Sequence, residues 1–225
     1  MHSPEREISR LAFVGGTGPE GRGLALRLAS VGHPVIVGSR SRERAEEAAA
    51  ELLERLGQGV VSGLPNEEAA ARADIVFLTL PHAGVADTLP PLAPATRGKI
   101  VVSAVAPVEF QEGRPVALRL EAGSAAQEAQ LLLPEARLVS AFQIVDAHRL
   151  QDLETPLDTD VIVCSDDVEA RREVVRLAGQ IPGVRALSGG RLSTSRYVEE
   201  CTALLITLNR IYKAHSGIRI TGIDR

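Results

Sequence analysis

The chain has 225 residues, 44% of them hydrophobic and 24% charged, which suits one large domain, or one domain with a small appendage, and excludes repeat arrays and disordered polymers. Twenty-five basic against twenty-nine acidic side chains leave a net charge of −4 with no run of either sign, so no nucleic-acid or anionic-membrane partner is expected. The polar start Met1-His2-Ser3-Pro4-Glu5-Arg6-Glu7 lacks a signal-peptide core, and no apolar run approaches the ~20 residues of a membrane span.

In chain order, short β-rich runs alternate with helical stretches over the first 105 residues, the rhythm of βαβ units and a parallel sheet. Leu11-Ala12-Phe13-Val14 ends in glycines, residues 21–30 read as a helix, and Pro34-Val35-Ile36-Val37-Gly38 as a second strand. Ser41 opens a helix over 41–56 with an alanine-rich apolar face. Val60-Val61, 75–79 and 100–103 are further strands, with helices over 67–72 and 85–92. Residues 107–123, punctuated by Pro107, Gly113, Pro115 and Gly123, read as an extended loop. A helix over 124–133 and a strand over 138–142 follow, then a strand over 161–164, a helix capped by Ser165 or Asp166 and running to about Ile181, and a strand over 184–187. A long helix over 195–213 and a short tail, Gly217-Ile218-Arg219-Ile220, end the chain. The expected fold is α/β, a Rossmann-type doubly wound parallel sheet over residues 1–150, with a smaller C-terminal α/β portion, 151–225, contributing to a second-substrate site and dimer contacts.

The segment Gly15-Gly16-Thr17-Gly18-Pro19-Glu20-Gly21 contains Gly16-x-Gly18-x-x-Gly21 between a strand and a helix. Its first glycine permits the tight turn, its second close approach of a pyrophosphate, and its third close packing of helix on strand. The helix end then supplies free N–H donors and positive potential, and Pro19 costs nothing in the first turn. At the end of the second strand, an NAD enzyme places a carboxylate on the ribose diol. Here Gly38-Ser39-Arg40-Ser41-Arg42-Glu43-Arg44 offers none. Ser39, Arg40 and Arg44, with Thr17, can instead hold a 2′-phosphate, so the cofactor reads as NADP.

No catalytic acid or base and no metal site is expected, because no two of His2, His33, His82, His148 and His215 have metal-ligand spacing. His33 reads as structural. His82 follows Pro81 at a strand tip facing the dinucleotide, where cofactor contact and a plain surface loop both stay open. His148 and His215 read as solvated or as second-substrate residues. Asp166-Asp167 reads as helix capping, and Val198, Cys201, Leu205, Leu208 and Tyr212 as the buried or dimer face of a helix. Cys164 and Cys201 read as reduced buried thiols in a cytoplasmic protein.

The glycine loop, Gly38-Ser39-Arg40, Leu78-Thr79-Leu80-Pro81, Val139-Ser140-Ala141-Phe142 and the closing Asn209-Arg210-Ile211-Tyr212-Lys213-Ala214-His215-Ser216-Gly217 together resemble, end to end, the F420-dependent NADP oxidoreductases. That resemblance implies a homodimer passing hydride between NADP(H) and the deazaflavin coenzyme F420. It implies NADP contacts at Thr17, Gly18, Pro19, Glu20, Ser39, Arg40 and Arg44, with His82 and Ala86 around the adenosine and diphosphate and Ala147 near the nicotinamide. Deazaflavin contacts would come from Ala104, Val105, Pro107, Gln143, Val145, Ser216 and Gly217. Gln143 stands where typical members carry a histidine, and Asp146 adds negative charge beside an anionic coenzyme. A flavin, quinone or small imine as acceptor therefore stays an alternative, as does a non-catalytic NADP(H) sensor.

Overall fold

The computed structural model describes residues 8–223, so the polar start over residues 1–7 lies outside the described residues. Strand β1 (Leu11–Val14) turns through the glycine loop into helix α1 (Pro19–Ser30), and β2 (Val35–Ser39) completes the first unit. Helix α2 (Arg42–Leu56) is capped by Ser41, whose hydroxyl accepts from the Arg44 amide at 3.3 Å. Strand β3 (Val61–Pro65), helix α3 (Asn66–Arg72) and strand β4 (Ile75–Leu78) follow.

The single helix expected over 85–92 is broken into α4 (Val85–Thr88), a 3₁₀ turn at Pro90–Leu92, and α5 (Ala93–Thr96) before β5 (Ile100–Ser103). Pro90, Pro91 and Pro94 lack the amide protons that a continuous helix would need. The expected loop over 107–123 holds a hairpin, β6 (Val108–Gln111) antiparallel to β7 (Arg114–Ala117). Its turn residues Glu112 and Gly113 have φ of +49° and +77°, the left-handed pair that suits a tight hairpin. Glutamate in place of the usual Asn or Asp hides that signal.

Helix α6 (Ala125–Leu132), strand β8 (Arg137–Ser140), the short helix α7 (Ala147–Gln151), strand β9 (Thr159–Cys164), helix α8 (Val168–Ala178), strand β10 (Val184–Gly190) and helix α9 (Ser195–Tyr212) complete the chain. Helix α8 is capped by Asp167, of the Asp166-Asp167 pair read as helix capping, rather than by Ser165 or Asp166; its carboxylate accepts from the Ala170 amide at 2.8 Å. Arg137 grips the same carboxylate at 2.7 and 3.1 Å and holds its pKa down at about 2.

All eight strands apart from the hairpin form one sheet in the order β10-β9-β8-β5-β4-β1-β2-β3. The six from β8 to β3 are parallel, which is the Rossmann-type doubly wound arrangement. Strand β9 joins β8 antiparallel through Ser140 and Cys164, and β9 and β10 are parallel to each other, so the C-terminal α/β portion extends the same sheet. Alternation along β1 sends Leu11 and Phe13 to one core, with α1, α2 and α8, and Ala12 and Val14 to the other, with α3 and α6. Burial on both faces explains the uninterrupted apolar strands. Strand order reverses at β1, between β2 and β4, and the carboxyl ends there frame the crevice where such folds bind ligands.

Candidate functional site

Gly21 is dictated by packing, since a Cβ there would lie 2.6 Å from both Gly16 Cα and Thr79 Oγ1. Gly18 is different. Among the described residues, a Cβ on it would come no nearer than 3.6 Å to any atom beyond its chain neighbours, so packing within the chain does not require glycine there. The loop is steadied from below by Gly16 N, which donates to Phe13 O and Gly38 O at 2.9 Å, and by Asn66 Oδ1, which accepts from Gly15 N at 3.3 Å.

A cleft of about 470 Å³ opens beside this loop, lined by Thr17, Gly18, Ser39, Arg40, Arg44 and Pro81 among others. The loop, the β2 end and the β4 tip are thus brought to one place, as the sequence reading requires. Among the described residues, neither the Arg40 nor the Arg44 guanidinium has a side-chain partner, whereas Arg42 between them pairs with Glu68 at 2.5 Å and Glu46 at 4.0 Å. Two free cations facing a glycine-loop cleft suit a phosphate dianion. Ser39 Oγ accepts from the Ser41 amide at 3.3 Å, leaving its proton to donate. His82 does not line the cleft; its Nε2 lies 2.6 Å from Glu128 Oε2 on α6. Ala86 and Ala147 also lie outside the lining. Asn66, Asp87 and Thr88 line it without having been singled out from sequence.

Glu20, in the first turn of α1, has Oε1 buried without a hydrogen-bond partner among the described residues. Burial first, and Asp146 second, push its carboxyl well above the ordinary 4.5. A raised folded pKa means that the native state binds the proton more tightly than the unfolded chain does. Stability is therefore lost as pH rises from the ordinary value towards the raised one. We expect Glu20→Gln to match wild type in urea unfolding near pH 4 and to exceed it by about 1 kcal/mol at alkaline pH; equal midpoints throughout would show that the carboxyl is solvated. Beside Glu20, α7 is docked on α1 by Arg27, which is 1% exposed and donates to the carbonyls of Leu150 (3.0 Å), Arg149 (2.8 Å), Thr155 (3.0 Å) and Asp152. This anchor positions Ala147.

At the carboxyl ends of β5 and β8, Ala104, Val105, Pro107, Gln143 and Val145 form a buried edge. Gln143 Nε2 donates to Ser103 O and Ser140 Oγ, both at 2.8 Å, yet Gln143 Oε1 and Ser103 Oγ are buried without a partner among the described residues. Phe142, just before it, is held at φ +78°, a conformation that costs a bulky residue about 1–3 kcal/mol. Val145, Ser216 and Gly217 meet in a small crevice with Asp146 and Arg149. The tail is pinned there by Asn209 Oδ1, which accepts from Ser216 N (2.7 Å) and Ser216 Oγ (2.6 Å), and by Asp160, which accepts from Ile220 N at 2.7 Å. The thiols take no part: burial pushes Cys164 up to about 11 and raises Cys201, so both stay protonated.

The family profile "NADP oxidoreductase coenzyme F420-dependent" matches residues 10–107. The F420-dependent NADP reductase of Methanocaldococcus jannaschii is 45% identical over 222 residues, covering 96% of this chain and 99% of that protein. The chain belongs to the F420-dependent NADP reductase family. The reductase of Methanothermobacter thermautotrophicus agrees, at 39% identity over 96% of both chains. A candidate F420-dependent NADP reductase from Arthrobacter sp. FB24, known from a crystal structure, superposes with a TM-score of 0.82 at 25% identity, covering 95% of this chain and 99% of that one. Within this family fold, the glycine loop, Arg40 and Arg44 lie at the β1/β2 end and Gln143 and Ser103 at the β5/β8 end.

Proposed function

We propose that the protein is an oxidoreductase transferring hydride between NADP(H) and coenzyme F420. The observation that carries this reading is the pair of unpartnered guanidinium groups, Arg40 and Arg44, on the glycine-loop cleft of a chain that belongs to the F420-dependent NADP reductases. NADP would be held by the Gly16–Gly21 loop, by Ser39, Arg40 and Arg44 on the 2′-phosphate, and by Pro81, His82, Ala86 and Ala147 along the dinucleotide. The deazaflavin would lie against Ala104, Val105, Pro107, Gln143, Val145, Ser216 and Gly217. The buried, unpartnered Gln143 Oε1 and Ser103 Oγ fit a ligand that brings polar edge groups to this sheet end.

When both are bound, the two rings exchange hydride directly, which asks the protein for proximity and orientation rather than for an acid or base. Arg27 and the Asp146 cap hold α7, and with it Ala147, at a fixed height over α1. The apolar edge Ala104, Val105 and Val145 keeps water from the space between the ligands. In this reading residues 1–150 serve NADP, and 151–225 complete the second site and a homodimer in the cytoplasm. Tyr197, Leu204 and Ile211, spaced seven apart on α9 and 59%, 54% and 65% exposed, form the stripe that a second copy would cover. Stopped-flow mixing with NADPH and oxidised F420 tests the activity: loss of the oxidised deazaflavin absorbance is expected, and NADPH binding with turnover only of a flavin, quinone or imine would overturn it.

A further inference from the structure

Outside the cleft, Asp146, His148 and His215 come together, with one candidate ligand atom from each within 4.8 Å of the others. We propose that these three side chains form a binding site for a first-row transition-metal dication of the Zn²⁺ type. Carboxylate with two imidazoles is a donor set that such ions take in four-coordinate geometry, the last position being left to water or substrate.

The carboxylate is already built as a ligand. Asp146 is 15% exposed, and its Oδ1 accepts from the amides of His148 (2.9 Å) and Arg149 (3.0 Å). Asn209 Nδ2 donates to its Oδ2 at 3.4 Å. Fixed carboxylate oxygens with outer hydrogen bonds are what orients a metal ligand. His215 Nδ1 stands 3.1 Å from Oδ1 and 3.2 Å from Oδ2, close to the roughly 3.4 Å edge of a tetrahedron with metal–ligand bonds of about 2.1 Å. A carboxylate only accepts, so in this contact the proton sits on Nδ1; with the ion bound, Nδ1 is the ligand atom and the neutral ring carries its proton on Nε2.

The His148 ring stacks on that of His215 at 4.3 Å and 10°. Being exposed, it can close the remaining distance by side-chain rotation. Arg149 and Asp158, of opposite sign, line the crevice beneath, so the immediate surroundings add no net repulsion. The ion would staple the start of α7 to the segment that carries Ser216 and Gly217, adding metal bonds to the Asp146–His215 contact and the His148–His215 stack.

Zn²⁺ alone, titrated into the full-length protein against a chelating dye, tests this. One equivalent should bind, with no response to Mg²⁺, and the thermal unfolding midpoint should rise. His148→Ala and His215→Ala, at exposed positions that leave the core intact, should each weaken uptake about 10- to 100-fold and abolish the rise. Co²⁺ should give a tetrahedral visible spectrum in wild type that is missing in both variants. No saturable uptake, or uptake unchanged in His148→Ala, overturns the proposal.

Discussion

Replacing Arg40 by alanine is expected to weaken NADPH binding by about 1.5–3 kcal/mol, roughly ten- to a hundredfold, while leaving NADH affinity nearly unchanged. The expectation rests on what the side chain lacks. Arg40 follows the last residue of β2 on the rim of the cleft and has no acidic partner among the described residues, so a phosphate that docks there need not break an existing ion pair. Arg42 is the internal control. It is engaged by Glu68 and Glu46, and Arg42→Ala should change NADPH affinity by well under 1 kcal/mol. Adding Arg44→Ala to Arg40→Ala should deepen the loss for NADPH alone. Fluorescence titrations with both nucleotides at fixed salt decide it, since exposed charge pairs weaken as ionic strength rises. Equal losses for NADPH and NADH would remove the 2′-phosphate role, and with it the reading of this cleft as an NADP site.

The contrast among these arginines also shows where sequence reading stops. Strand β1, the glycine loop, α1 and β2 are legible because each follows from local chemistry: an apolar run, glycines, a proline in the first turn, a second apolar run. The partnering of Arg42 depends on Glu68 from α3, which folds against the β2 end only in the tertiary structure. Arg27 reads as one more polar helix residue, yet it is buried because its acceptors lie more than 120 positions away. Asn66 looks like an ordinary helix-start residue until the fold sets its Oδ1 beneath Gly15 N. The Asp146, His148 and His215 cluster is invisible for the same reason: metal-site spacing is a local signal, and His215 lies 67 positions beyond His148. The glutamate in its turn masks the hairpin over 108–117, while Pro90, Pro91 and Pro94 are a local signal for the break after Thr88.

Asp160→Ala is expected to cost about 3–5 kcal/mol of stability, lowering the unfolding midpoint by roughly 6–20 °C. Asp160 is fully buried at the start of β9. Its oxygens accept from Arg185 Nε (2.9 Å) and Arg185 NH2 (2.6 Å), from Arg219 NH1 (2.9 Å) and from Ile220 N (2.7 Å). Removing the carboxylate leaves two guanidinium groups facing each other without their shared counter-charge, and it frees the tail behind Ser216 and Gly217. Those bonds, Arg185 foremost, hold the Asp160 carboxyl at about 2 against an ordinary 3.8. The sign follows from that depression: the stabilisation is complete above pH 3.8 and disappears as pH falls through about 2. Wild type should therefore lose its advantage over the variant across that acid window. Breaking the exposed Arg172–Glu169 pair, 71% and 72% open to solvent, should shift the midpoint hardly at all. NADPH affinity should survive in Asp160→Ala, because the β1/β2 crevice does not depend on the β9 edge, whereas affinity for the deazaflavin should fall with the loosened tail. A variant that melts like wild type would show that Arg185 and Arg219 reach other acceptors, such as Asp158 and the Gly183 carbonyl, well enough to make the buried carboxylate dispensable.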